Sequence, residues 1–346
     1  MSLIVDIEKK VGKFHLKTAF TMEQNGIFGL LGESGCGKSM TLRCIAGIQK
    51  PDKGKIILND RILYDSEKRI NLSPQKRKVG YLFQDYALFP NMTVEQNIAV
   101  VLNKKNNVEQ YLEQFYLKGL EHHYPSMLSG GQKQRCAIAR MMASKPELLL
   151  FDEPFSAVDR SLRWNLELQI LDILKTIRKP VVFVSHDRDE IYHLCDSVGI
   201  MDWGQIKDIG TKQELFERPR TVAAARMIGC ENIFPIRLER KLLGTDKYFN
   251  KNLNTEVSQK RSKRSYDRVT YIGIPAHAVK MTQEKEKSQV NGQIMKILLE
   301  TQEKVMIVKI AEQNLYIRMG KDEGKTMKVG EKVGICIDSS KVWYLE

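Results

Sequence analysis

The segment Gly32-Glu33-Ser34-Gly35-Cys36-Gly37-Lys38-Ser39 fits the spacing GxxxxGK[ST]. Glycines at these positions let successive backbone N–H groups turn inward around phosphate oxygens. The apolar run Ile27–Leu31 comes before it, and a helical stretch from Lys38 to about Ala46 comes after it. The start of that helix adds a positive dipole end facing the same anion. Lys38 would reach the β- and γ-phosphates of a nucleotide, and the Ser39 hydroxyl would bind Mg²⁺. Met40 follows in the first turn and completes the candidate nucleotide-binding set.

A second chemical position is Leu148-Leu-Leu-Phe-Asp152-Glu153-Pro154, an apolar strand that ends in two carboxylates. Asp152 can hold Mg²⁺, and Glu153 can take a proton from an attacking water. Taken alone, the pair reads equally well as a helix start, where carboxylates favour the dipole. Beside a phosphate loop the metal reading prevails. Gln84 follows the strand Val79–Phe83, and His186 follows Val181–Val184. Both fall where side chains leave the carboxyl edge of a parallel sheet, although a lone His or Gln there is commonly structural. Leu128-Ser129-Gly130-Gly131-Gln132 precedes a helix read as Lys133–Met142, so it forms a second anion cradle. One nucleotide needs one cradle for its β-phosphate, so the second suggests the nucleotide of another chain.

The elements that must position these groups alternate between strand and helix. Leu3, Val5 and Ile7 alternate as a strand does, and so do Phe14 and Leu16. Ile56–Leu58, Val198–Met201 and Ile206–Ile209 are further strands, and Leu162, Leu166, Ile170, Ile173 and Ile177 stripe a helix. Gly47 is a C-cap for the helix after the loop. Residues 93–127 read as helical, starting at a Thr93–Gln96 capping box and broken at Pro125. The pattern predicts an α/β fold with a mostly parallel sheet, an antiparallel β flank and a helical insertion near 85–127. Past Glu231 the texture changes. Residues 241–268 are polar and basic, which reads as a solvated linker, and from Val269 short strands predict a small β-barrel. The expected domains are 1–231, a linker and the start of the C-terminal region over 232–268, and 269–346.

With 346 residues, the chain has room for two domains at about 150 residues each. Its net charge of +13 leaves nucleic acid, an anionic membrane surface and a phosphorylated ligand all open. No apolar run reaches the ~18–20 residues of a membrane span. The stretch Met1–Lys10 has acidic residues where a signal peptide needs apolar ones, so neither export nor a membrane span is expected. Six scattered cysteines without CxxC spacing predict a reduced, cytosolic protein with no structural zinc.

The ordered set of phosphate loop, Gln84, Leu128–Gln132, Leu148–Pro154, Ser156-Ala-Val-Asp159 and His186 resembles an ATP-binding-cassette ATPase over residues 1 to about 235. The ends of both regions resemble the importer branch: Glu214-Leu-Phe-Glu-Arg-Pro219 with Gly229 and Asn232-Ile, and Val333–Asp338. The stretch from Arg61 to Pro90 is most similar to molybdate-importer ATPases, and sulfate, iron and sugar importers share much of it. The resemblance implies two copies closing head-to-tail on two ATP molecules. Lys38, Ser39, Gln84, Asp152, Glu153 and His186 would serve one face, with Mg²⁺ on Ser39, Gln84 and Asp152. Ser129, Gly130, Gly131 and Gln132 would cover the partner's γ-phosphate. His186 would sense that phosphate, and Asp159 would signal across the dimer. The expected partners are a membrane permease and, indirectly, an extracytoplasmic solute-binding protein, with no nucleic acid. The expected location is cytoplasmic, peripheral on the inner face of the membrane. The rival reading, a soluble cassette acting on ribosomes or nucleic acid, rests on the basic tail.

Overall fold

The computed structural model describes residues 2–23, 26–102, 107–156, 160–177, 179–242, 245–250, 255–260, 269–282, 290–324 and 327–346. The chain divides into two units, Met1–Lys212 and Gln213–Glu346.

The first unit holds two sheets. An antiparallel sheet contains β1 (Ser2–Val11), β2 (Phe14–Glu23), β4 (Lys53–Leu58), β5 (Arg61–Asp65) and β6 (Ile70–Asn71), ordered β2-β1-β4-β5-β6. The other sheet contains β3 (Ile27–Leu31), β7 (Val79–Leu82), β8 (Leu148–Asp152), β9 (Val181–Ser185), β10 (Ser197–Asp202) and β11 (Gln205–Thr211), ordered β11-β10-β3-β9-β8-β7. It is parallel except for the edge strand β11. Every residue of β8 and β9 is buried, so these strands are continuous apolar runs covered on both faces. Along its first six residues β1 alternates buried and less buried positions, because one face alone meets the core. That core joins Leu3, Val5 and Ile56 to Leu30, Leu150 and Val182 across α1 (Lys38–Ala46).

The remaining helices of this unit are α2 (Pro74–Arg77), α3 (Val94–Ala99), α4 (Val108–Gln114), α5 (Gly130–Ala143), α6 (Arg160–Ile177) and α7 (Arg188–Leu194). Among the described residues, the stretch expected to be helical over 93–127 is two short helices and a 3-10 turn at Pro125–Met127, joined by turns and irregular backbone. Backbone at φ 54° for Tyr116 and 83° for Gly119 ends α4, in addition to the expected break at Pro125. The Thr93–Gln96 capping box is present in both directions.

In the second unit, α8 (Lys212–Glu217) begins at the junction and α9 (Val222–Met227) follows. A three-stranded sheet pairs β12 (Asn232–Pro235), β16 (Tyr271–Ile274) and β22 (Trp343–Leu345). A five-stranded one orders β17 (Val279–Thr282), β21 (Lys332–Ile337), β18 (Val290–Leu299), β19 (Glu303–Ile310) and β20 (Gln313–Gly320). All pairs are antiparallel, and both sheets share a core of Phe234, Ile272, Ile274, Ile294, Met306, Val308, Leu315 and Ile335. This is the small β domain that the alternation predicts. Buried Asn232 staples the two sheets. Its amide donates to Ile274 O (3.1 Å) and Tyr316 O (2.8 Å), and its carbonyl accepts from Tyr316 N (2.7 Å). The segment read as a linker contains β12 and the antiparallel strands β13 (Arg237–Leu242), β14 (Thr245–Asn250) and β15 (Thr255–Lys260). Their polar, weakly alternating sequence hides the period of a strand. Arg261, Lys263 and Arg264 lie outside the described residues.

No described helix is long and apolar enough to cross a membrane.

One buried cation fixes the helix behind the phosphate loop. Arg77 is fully buried and donates to Cys44 O (2.9 Å) and Ile45 O (2.8 Å), the last carbonyls of α1. It also donates to Leu72 O (2.8 Å) and Asn71 Oδ1 (2.9 Å). Gly47 caps the same helix at φ 81°, and a Cβ there would lie 2.5 Å from Arg77 Nε. Arg77→Met should therefore take this donor from the Ile45 and Leu72 carbonyls, while Cys44 O keeps Gly47 N, and cost about 2–4 kcal/mol. Gly47→Ala should cost ~1–3 kcal/mol through backbone strain and that clash. Urea unfolding followed by tryptophan fluorescence and circular dichroism checks both. Wild-type midpoints would refute the capping role.

Candidate active site

The strand order places β9 between β3 and β8, so the ends of all three meet at the carboxyl edge of the parallel sheet. β3 runs into Gly32–Ser39, β8 into Glu153, and β9 into His186. In the loop, Gly35 (φ 82°) and Gly37 (φ 110°) take left-handed backbone that L side chains rarely adopt. Gly32 is fixed by packing, since a Cβ would lie 2.3 Å from Met201 O. Glu33, Ser34 and Gly35 form an exposed rim, Cys36 is buried, and Met40 packs against the core. Burial raises the Cys36 thiol pKa, which keeps it neutral inside the loop. Gly37 is the N-cap of α1 and carries no side-chain cap bond, which leaves the first-turn N–H groups for an anion.

Lys38 is 3% exposed. Its ammonium donates to Gly32 O (2.7 Å) and Glu33 O (2.9 Å) and lies 3.7 Å from Glu153 Oε1. Ser39 Oγ donates to Asp152 Oδ1 at 2.6 Å, and the Tyr81 hydroxyl donates to Asp152 Oδ2 at 2.7 Å. Burial, and then the bond to Asp152, push the Tyr81 phenol pKa up. The other oxygen of Glu153, Oε2, lies 3.2 Å from His186 Nδ1. Glu153 stands at φ 46°, a left-handed position for a non-glycine residue. An extended continuation of β8 would send the Asp152 and Glu153 side chains to opposite faces. The left-handed turn brings both carboxylates to one site, with Asp152 on Ser39 and Glu153 on Lys38.

The structure thus brings together Lys38, Ser39, Asp152, Glu153 and His186. Gln84 is exposed in the turn after β7. That turn is tied to the strand ends from behind, because Tyr86 Oη (3.2 Å) and Gln134 Nε2 (3.1 Å) both donate to Pro154 O. Arg140 Nη2 donates to Tyr86 O (3.1 Å), and its guanidinium sits 5.1 Å from the Phe89 ring centre. The segment 129–132, read as a cradle before a helix at Lys133, is the N-cap and first turn of α5. Gln132 N donates to Ser129 Oγ (3.3 Å), and Ser129 N donates to Gln132 Oε1 (2.8 Å). This capping box starts the helix three residues early. Gly130 has open space where a Cβ would stand, whereas a Cβ at Gly131 would meet Leu166 at 2.6 Å. Asp159 lies outside the described residues.

Sequence reading missed Tyr81, Gln134 and Glu190. Tyr81 reaches Asp152 only because β7 pairs it with Leu150, a register that no spacing reveals. Glu190 looks like first-turn dressing of α7, yet it is 4% exposed, and its Oε2 accepts from Ser185 Oγ at 2.6 Å.

The family described as ABC transporter matches residues 16–156. The sulfate/thiosulfate import ATP-binding protein of Synechocystis is 37% identical over 246 residues, 68% of this chain and 68% of the relative. The chain belongs to the ABC transporter ATP-binding family. It is an ATPase of that family and binds ATP. The molybdenum import ATP-binding protein of Mannheimia succiniciproducens is also 37% identical, over 63% of this chain and 63% of the relative. A cassette from Clostridium perfringens, part of an ABC transporter complex, is 25% identical with a TM-score of 0.55. The match spans 62% of this chain and 90% of that one.

Behind the cassette's His186, burial raises the Glu190 carboxyl from 4.5 to about 7, with the Ser185 hydrogen bond opposing the shift. The native state therefore holds this proton more tightly than the unfolded chain does. Below pH ~4.5 both states are protonated. Between ~4.5 and ~7 native stability falls as pH rises, by about 3 kcal/mol from this group. Glu190→Gln should flatten that difference. It is read as the wild-type minus variant unfolding free energy at pH 5 and pH 8, and an unchanged difference would refute the assignment.

Proposed function

We propose that the chain is the ATP-hydrolysing subunit of an importer, working as a head-to-tail pair on a separate membrane permease at the inner face of the membrane. The observation that carries the hydrolysis chemistry is Glu153, whose two oxygens lie 3.7 Å from Lys38 Nζ and 3.2 Å from His186 Nδ1. With ATP in the loop, the Lys38 ammonium exchanges its two backbone carbonyls for β- and γ-phosphate oxygens, and the N-terminal end of α1 faces the same charge. Glu153 accepts a proton from the attacking water, and His186 holds that carboxylate and senses the γ-phosphate. Ser39 and Asp152 are hard oxygen donors, the set that Mg²⁺ prefers, and Gln84 is the third candidate ligand. When bound, Mg²⁺ neutralises charge between the β- and γ-phosphates.

The second half of each site comes from the partner copy. Ser129 Oγ accepts from Gln132 N and keeps its own proton for a phosphate oxygen, and Gly130 leaves the helix start uncovered. Asp159 is proposed to signal between the copies. Relatives named for sulfate/thiosulfate and for molybdenum import match at the same identity. Relatives named for putrescine transport and for Fe(3+) ions import match at 39% and 37% identity, so identity does not separate the solutes, and molybdate or a related oxyanion is kept as the first candidate on the resemblance of the Arg61–Pro90 stretch. An extracytoplasmic binding protein would deliver it to the permease. Vesicle uptake with molybdate, tungstate, sulfate, ferric iron and maltose tests this. Stimulation by the iron or sugar system alone would overturn the oxyanion assignment.

Glu153→Gln should preserve ATP binding and lower single-turnover hydrolysis by roughly 10²–10⁴-fold. Near-normal turnover would remove Glu153 as the base. Lys38→Ala and Ser129→Arg should each abolish turnover in pure form. Mixing the two variants should restore part of it, because one composite site of each mixed dimer is intact. No recovery in confirmed mixed dimers would count against shared sites.

A further inference from the structure

His186 is flanked by two residues whose side chains both join one ring in which Ser185 and Glu190 are buried and Asp187 and Arg163 are half-buried. Ser185 Oγ donates to Glu190 Oε2 at 2.6 Å and accepts from Asp187 N at 2.9 Å. Asp187 Oδ2 lies 3.1 Å from Arg163 Nη1, and the same nitrogen lies 3.4 Å from Glu190 Oε1. The ring thus closes from Glu190 through Ser185, Asp187 and Arg163 back to Glu190. It joins the end of β9, the turn that carries His186, the first turn of α7, and α6. A second contact runs beside it, where His193 Nδ1 lies 3.1 Å from Glu167 Oε2 and the Trp164 ring meets His193 edge-on at 4.8 Å. The His186 side chain itself is 51% exposed, and its contact is with Glu153. Its position is therefore set by its backbone neighbours rather than by packing around the ring.

We propose that Glu190 and Arg163 are positioning residues for ATP hydrolysis: they lock the backbone on both sides of His186 to α6, so that His186 meets Glu153 only when α6 is in place. The inference rests on the reading of His186 given above. α6 begins directly after Asp159, so the ring connects the segment proposed to signal between copies with the residue proposed to sense phosphate. The composition of the ring favours this role over a purely structural one. Burial opposes ionisation of Glu190, the neighbouring carboxylates Asp187 and Glu167 oppose it further, and Arg163 only partly offsets them. Arg163 Nε is also buried with no partner among the described residues. An apolar contact between α6 and α7 would hold the helices at lower cost, so a strained charge pair at this place points to function.

The test uses the complete chain with Glu190→Gln, Ser185→Ala and His186→Ala, and Glu190→Gln combined with His186→Ala. Glutamine keeps the shape and can still accept from Ser185, but it presents no charge to Arg163. Single-turnover hydrolysis and ATP binding are measured at pH 8, together with Tm. Glu190→Gln should lower the hydrolysis rate about tenfold, with ATP affinity within about twofold of wild type and Tm not lowered. Ser185→Ala, which removes one hydroxyl and preserves the fold, should shift the rate the same way. In the His186→Ala background, Glu190→Gln should cost no more than about twofold, because what it positions is gone. A wild-type rate for Glu190→Gln beside a strongly slowed but measurable His186→Ala would overturn the inference alone. So would an equal loss with and without His186. Full turnover by His186→Ala would overturn the reading of His186 and the inference with it.

Discussion

The buried ammonium of Lys38 is the charge around which the first unit is organised. An ammonium at 3% exposure survives only with acceptors on its donors. Gly32 O, Glu33 O and Glu153 supply them, and each comes from a different structural commitment. The carbonyls require the glycine turns of the loop. The carboxylate requires β8 to end two strands away from β3, with β9 between them. Keeping α1 at the correct height requires Arg77 beneath its last turn. Loop, sheet order and helix cap thus all serve one cation. The geometry that satisfies it is also the geometry that a triphosphate can take over, because phosphate oxygens are better acceptors than amide carbonyls for the same ammonium.

Much of this arrangement was legible in the sequence. The limits Ile27–Leu31 and Lys38–Ala46, with Gly47 as the cap, follow from apolar runs and glycine alone. Asp152 and Glu153 follow from a hydrophobic run that ends in charge. These features are local, and local chemistry is what spacing records. What escaped was non-local or disguised. Tyr81 depends on strand register, and Glu190 on a helix turning inward behind β9. The α5 start was misplaced because Ser-Gly-Gly-Gln reads as loop until its reciprocal cap is recognised. The strands β13 to β15 were read as linker because their residues are too polar to show alternation. Residues 93–127 hold less helix than their pattern predicts, since Leu112 and Phe115 give a helical stripe while left-handed backbone at Tyr116 and Gly119 breaks it.

The two units solve the same problem by different means. The first buries charge and answers it with carbonyl oxygens at Arg77 and with opposite charge at Lys38 and Glu190. In the second, the amide of Asn232 answers three backbone groups across two sheets, and buried Lys304 donates to Glu323 O. A neutral amide carries no ionisation cost, so this staple holds over the whole pH range in which the charged ring behind His186 changes character.

The left-handed backbone of Glu153 has a consequence for how this protein can change. At φ 46° a glycine or an asparagine would be more comfortable than glutamate. The residue proposed as the base is therefore kept against a standing conformational preference. Replacement by either of these residues would relax the strand end and take the carboxylate from Lys38, which would keep its two carbonyl acceptors, Gly32 O and Glu33 O, while Ser39 and the glycine turns stay in place. Such a copy would fold well, fill its loop with nucleotide and pair with normal copies while hydrolysing nothing. In the head-to-tail dimer proposed above, it would act as a dominant-negative poison, a stable subunit whose very stability lets it occupy transporters and stall them.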